Sequence, residues 1–138
     1  MINSGITVVL DGLAIRNGRV SGSVGGGGLY NGGMLTFSNG VVSGNSARLG
    51  GGLFSAFEAV TLSNSTVSGN ATLGDGAGFY SFSGSASVVD STIRDNFAGT
   101  SGGGVCPGTL TVTGSTLSGN SAGTGVRQVM ALSSTTLE

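Results

Sequence analysis

Gly26-Gly27-Gly28-Leu29-Tyr30, followed by Leu35-Thr36-Phe37-Ser38-Asn39 and Val42-Ser43-Gly44-Asn45, returns twice in near-identical form. The second copy reads Gly50-Gly51-Gly52-Leu53-Phe54, Val60-Thr61-Leu62-Ser63-Asn64 and Val67-Ser68-Gly69-Asn70. The third reads Gly102-Gly103-Gly104-Val105-Cys106, Leu110-Thr111-Val112-Thr113-Gly114 and Leu117-Ser118-Gly119-Asn120. A more diverged copy lies between them, starting at Gly76-Ala77-Gly78-Phe79-Tyr80 and ending Ile93-Arg94-Asp95-Asn96. The closing asparagines fall at Asn45, Asn70, Asn96 and Asn120, a period of 24–26 residues. Partial copies flank the array, one from Ile6 to Gly18 and a weak one from Met130 to Glu138.

Within each repeat the apolar residues alternate with polar ones. Leu35 and Phe37 alternate with Thr36 and Ser38, and Val60 and Leu62 with Thr61 and Ser63. Period-2 alternation with β-branched residues reads as strand, and no window sustains a helical spacing. Such strands are too short to bury much as a free-standing sheet. Glycine runs and Ser-Gly-Asn mark corners, where positive φ is cheap. A stack of like coils, each repeat pairing in parallel with the next, reconciles these features. The expected fold is therefore all-β, a parallel β-helix with 24–26 residues per coil. One domain spans 1–138, with full coils over 25–122 and partial coils over 3–24 and 123–138. At a strand spacing of about 4.8 Å the rod would be roughly 25 Å long.

Stacking assigns each column a role. Leu35, Val60, Ala86 and Leu110 should form one inward column, and Phe37, Leu62, Val88 and Val112 a second. Val42, Val67, Ile93 and Leu117 should form a third, each buried member contributing about 1.5–3 kcal/mol. The column Asn45, Asn70, Asn96 and Asn120 fits a ladder of side-chain amides. Its plainer alternative is four independent turn residues in the left-handed region.

The Gly-Gly-Gly-Leu-Tyr-Asn motif at 26–31, with Leu-Thr-Phe-Ser-Asn and Val-Ser-Gly-Asn-Ser after it, resembles the polymorphic outer membrane protein (Pmp) type repeat. The resemblance covers residues 25–122. It implies a right-handed coil, export, and adhesin-like use on a bacterial surface or in a secreted protein. No basic n-region or apolar h-region opens the chain, so it reads as a piece of a longer exported protein, the other reading being cytoplasmic.

Composition narrows the chemistry. Of 138 residues 29 are Gly and none is His, Lys or Trp, and the net charge is −1. Without His there is no imidazole base and no His zinc ligand. A single Cys excludes an internal disulfide, and five Arg without Lys give no nucleic-acid footprint. No apolar run is long enough to span a membrane. The 38% hydrophobic content argues against a disordered linker.

The candidate sites are few. Tyr30, Phe54 and Tyr80, with Cys106 at the same repeat position, form a stripe expected to face outward and to meet a carbohydrate or a partner. The alternative packs them under a loop. Cys106 is either one member of that column or an exposed thiol. Among the acids, Asp11 and Asp90 are expected in one column about three coils apart, and Asp90, Arg94 and Asp95 share a coil. That cluster reads as a surface ion pair rather than a catalytic one. Outward Thr36, Thr61, Ser87 and Thr111, beside Ser38, Ser63, Val89 and Thr113, make an interrupted Thr/Ser rank. No catalytic residue, metal site or cofactor is expected. The expected role is structural and adhesin-like, ahead of a polysaccharide-binding or -degrading module and of an ice-binding solenoid. Self-association through open coil ends is the expected partner interaction, with a carbohydrate or surface partner also open.

Overall fold

Left-handed backbone at fixed points turns the chain through each coil. In the computed structural model, which describes residues 1–23, 25–126 and the backbone of 134–137, positive φ recurs in three columns. Gly12, Asn39, Asn64, Asp90 and Gly114 form one, Asn17, Gly44, Gly69, Asp95 and Gly119 the second, and Gly26, Gly50, Gly76 and Gly102 the third. These are the residue types that reach this region at least cost.

Between the corners run short strands. The first coil contributes β1 (Thr7–Asp11) and β2 (Ala14–Arg16). The second contributes β3 (Leu29–Asn31), β4 (Met34–Ser38), β5 (Val41–Ser43) and β6 (Ser46–Ala47). The third has β7 (Leu53–Ser55), β8 (Val60–Ser63), β9 (Thr66–Ser68) and β10 (Ala71–Thr72). The fourth has β11 (Phe79–Ser81), β12 (Ser85–Val89), β13 (Thr92–Arg94) and β14 (Phe97–Ala98). The fifth has β15 (Val105–Cys106), β16 (Thr109–Thr113), β17 (Thr116–Ser118) and β18 (Ser121–Ala122), and β19 (Ser134–Leu137) pairs beyond it. Equivalent strands of successive coils pair in parallel, giving sheets in the orders β1-β4-β8-β12-β16-β19, β2-β5-β9-β13-β17, β3-β7-β11-β15 and β6-β10-β14-β18. The molecule is a parallel β-solenoid of about five turns, with no helix among the described residues.

The register places the apolar columns as the repeat demands. Val8, Leu35, Val60, Ala86 and Leu110 lie one above another, as do Leu10, Phe37, Leu62, Val88 and Val112. Ile15, Val42, Val67, Ile93 and Leu117 form the third column. From Leu35 to Val112 these side chains make one continuous core with Leu53, Phe79 and Val105. Two-residue periodicity therefore continues around the coil rather than across one flat sheet.

The glycine triplets have a steric cause as well as a turn. A Cβ on Gly52 would sit 2.6 Å from the carbonyl oxygen of Gly78, and one on Gly78 would sit 2.4 Å from that of Gly104. Successive coils thus approach too closely there for any side chain. Residues 127–133 and Glu138, which hold most of the weak copy expected from Met130, lie outside the described residues.

Candidate functional site

The aromatic column is partly covered by packing. Leu29, Leu53 and Phe79 belong to the core or pack against it, so the rings that follow them leave the opposite face of their sheet. Tyr30 stacks on Phe54 at 5.2 Å between ring centroids and Phe54 on Tyr80 at 5.5 Å, with interplanar angles of 18° and 17°. Parallel pairing fixes this spacing, since each ring sits directly above its counterpart. The stripe faces outward, as the sequence led one to expect, but it is partly covered. Tyr80 is 9% exposed, Tyr30 and Phe54 are half-buried, and a Cβ on Gly25 would lie 2.2 Å from Phe54 Cδ2. Stacking covers both faces of the Phe54 ring and one face of Tyr30.

Cys106 continues the column and is buried, which corrects the alternative of an exposed thiol. Burial pushes its thiol up to about 12, with Asp75 adding a smaller upward push. Burial likewise raises the Tyr80 phenol, helped by Cys106 and Asp75. In the unfolded chain the thiol ionises near 9.0, so between that pH and about 12 the folded state holds a proton the unfolded state has lost. The resulting stability is present below pH 9 and declines as pH rises through that window. Native protein should accordingly resist iodoacetamide at pH 8 and react only as fast as it unfolds. Rapid stoichiometric alkylation of native protein would refute the burial.

The asparagine column is a hydrogen-bonded ladder. The Asn45 side-chain amide donates to Asn70 Oδ1 at 3.0 Å, Asn70 to Asn96 at 3.0 Å, and Asn96 to Asn120 at 2.8 Å. The same Oδ1 atoms accept from the backbone N–H of the asparagine one coil earlier. Each amide also donates backwards, to the carbonyls of Ile15, Val42, Val67 and Ile93. Gly18 occupies the first rung, its N–H donating to Asn45 Oδ1 at 2.8 Å. The turn-residue alternative is overturned, because the left-handed residues are Gly44, Gly69, Asp95 and Gly119, one position earlier.

A second ladder escaped the sequence reading. Gly40, Ser65 and Ser91 donate their backbone N–H to Ser65, Ser91 and Ser115 Oγ at 3.2, 3.1 and 3.0 Å. Each serine hydroxyl turns back to a carbonyl two residues earlier. Its signal lay in the residue after each left-handed Asx or Gly, a position hidden by the general abundance of serine. A third column, Asn31 to Ser55, is bonded at 3.2 Å. It stops at buried Ser81, whose hydroxyl has no partner; one coil further the chain has Pro107, which has no N–H.

The acids are spread out. Asp11 stands in the column of Ser38, Ser63 and Val89, so it does not share a column with Asp90, which lies one position on at the corner. Ser38 Oγ and Asn39 Nδ2 donate to Asp11 Oδ1 at 2.6 and 2.7 Å and hold its carboxyl below the usual range. Arg94 pairs with Asp95 at 2.6 Å with both side chains about half exposed, a surface pair worth up to ~1 kcal/mol. Asp75 accepts from Thr100 Oγ1 and from the Ser101 N–H. Among the described residues no three His, Cys, Asp or Glu side chains are grouped to hold a metal.

Exposed apolar groups gather elsewhere. Phe57 and Phe82, 67% and 57% exposed, meet edge to face at 6.0 Å in the connections β7–β8 and β11–β12 of successive coils. Leu73 and Phe97, 82% and 52% exposed, border a groove of about 620 Å³ on the β6-β10-β14 face. Outward Thr36, Thr61, Ser87 and Thr111 do align, with Val9 heading the column, and the backbone of Thr136 pairs in register beyond Thr111.

Compared with known proteins, the chain matches no family model, no curated protein and no solved structure. No helix among the described residues is long and apolar enough to cross a membrane.

Proposed function

We propose that the chain is a non-catalytic, adhesin-like structural segment of a bacterial surface or secreted repeat protein, of the kind the Pmp-type resemblance implies. The observation that carries this reading is where the buried polar side chains go. Asn45, Asn70, Asn96, Ser65 and Ser91 are all engaged in ladders along the axis, so they act as scaffold rather than as a reaction centre. Export in the parent protein belongs to the same proposal.

Self-association through coil ends belongs to it as well. β1 and β2 are edge strands in the chain as it stands, and Val8, Leu10 and Ile15 in that coil are only half-buried. Residues near Ile2 add to the β3 sheet, with the Ile2 N–H donating to the Tyr30 carbonyl at 2.8 Å. Light scattering should find a dimer or larger assembly that salt strengthens, and a strict monomer at high concentration would count against it.

The catalytic alternative is tested directly. Incubation with uronate and neutral polysaccharides, with and without calcium, should release no reducing or unsaturated ends. Release that disappears in Asp90→Ala or Asp95→Ala would replace the structural reading with an enzymatic one.

A further inference from the structure

We propose that the groove on the β6-β10-β14 face binds an amphiphilic monocarboxylate with a medium-length hydrocarbon chain. Its floor is the outward column Ser46, Ala71 and Phe97. Two small residues followed by a large one leave a trough that Phe97 closes at one end, while Val20 and the loop after it close the other. Three coil steps separate those ends, about 14 Å at the parallel strand spacing. That length suits a chain of roughly ten to twelve carbons, at the ~1.3 Å advance per extended carbon that backbone bond lengths of about 1.5 Å imply. Leu73, 82% exposed, stands beside the trough, and a side chain so placed gains most from a hydrocarbon laid along it.

Charge selects the head group. Arg48 is the single ionisable residue lining the groove. Its guanidinium has no hydrogen bond or ion pair among the described residues, since the contacts it makes run through its carbonyl oxygen to Thr72 and Gly74. Arg19 stands in the Ser46 column one coil earlier and adds a second positive charge nearby. Asp75, in the coil that follows Arg48, already accepts from Thr100 and Ser101. A planar guanidinium without a partner matches a carboxylate in two-pronged fashion. A concave, mostly apolar site of this volume with one well-placed charge is what small-molecule sites look like.

The test is calorimetric titration of the full chain with dodecanoate below its micelle concentration, beside dodecyltrimethylammonium and dodecyl maltoside. Dodecanoate should saturate one site, and the cationic and neutral amphiphiles should bind much more weakly. Arg48→Gln should weaken dodecanoate by about tenfold, the value of one charge-assisted hydrogen bond in a partly wet site. Ala71→Phe, which fills the trough, should abolish binding. Leu73→Ser alters a solvent-facing side chain, so it keeps the fold intact and should also weaken binding. No saturable binding of dodecanoate would overturn the proposal. So would equal binding of the three amphiphiles, or dodecanoate affinity unchanged in Leu73→Ser and Arg48→Gln.

Discussion

Asn70→Ala should lower the unfolding free energy by roughly 3–5 kcal/mol, read as a shifted urea midpoint at unchanged slope. Asn70 is 1% exposed and sits in the middle of the ladder. Alanine removes four hydrogen bonds at once: two accepted from Asn45 and two donated, to the Val42 carbonyl and to Asn96 Oδ1. The Asn45 amide groups lose their acceptor in a site closed to water, and each such donor costs about 1–3 kcal/mol. Asn70→Asp is the sharper variant. It keeps the shape and the acceptor, but places a carboxylate against the Val42 carbonyl and Asn96 Oδ1. A change below ~0.5 kcal/mol in Asn70→Ala would remove the ladder from the account of stability.

Phe37→Ala should cost about 3–5 kcal/mol, because Phe37, with Phe79, is the largest fully buried side chain among the described residues and a cavity would remain between Leu10 and Leu62. A second measurement probes why phenylalanine stands there. The three later coils pair a smaller residue with serine three positions on: Leu62 with Ser65, Val88 with Ser91, Val112 with Ser115. The second coil has Phe37 with Gly40, and a Cβ on Gly40 would lie 2.6 Å from Phe37 Cζ. Gly40→Ser alone should therefore destabilise by about 1–3 kcal/mol through overpacking. In the Phe37→Leu background the ring contact is relieved while the Leu13 carbonyl, also 2.6 Å from such a Cβ, still presses on it, so the same serine should cost less than it does beside Phe37. The cycle should return a coupling of at least ~1 kcal/mol, and simple additivity would refute the exchange of ring for hydroxyl.

Much of this was legible in the sequence because a solenoid repeats its physics. The three inward columns followed from period-2 alternation combined with a 24–26-residue period, since parallel pairing puts like positions in contact. The asparagine ladder was legible for the same reason. What the sequence hid were facts about how loops fold over the outer face. Whether Tyr80 is open or covered depends on chain that crosses its sheet, and alternation carries no information about that. The serine ladder hid among many serines. Asp11 was placed one position off because two acids flanking a corner differ by one residue, and only register separates Asp11 beside Ser38 from Asp90 at the turn. The Arg48 groove draws on the outward position of a two-residue strand, too short for any pattern to announce it.

The amide ladder has a direction. From Asn45 to Asn96 the amide-to-amide bonds all run one way: one Nδ2 hydrogen goes to the Oδ1 of the higher-numbered coil, while the other goes back to a carbonyl of the lower-numbered one. The rungs polarise one another in a single sense, so the rod carries an arrow along its axis and its two ends differ chemically. Copies joined head to tail would continue that arrow across the junction. Copies joined with like ends together would set donors against donors or acceptors against acceptors. Whole repeats can be added to or removed from such a ladder without reversing a single bond.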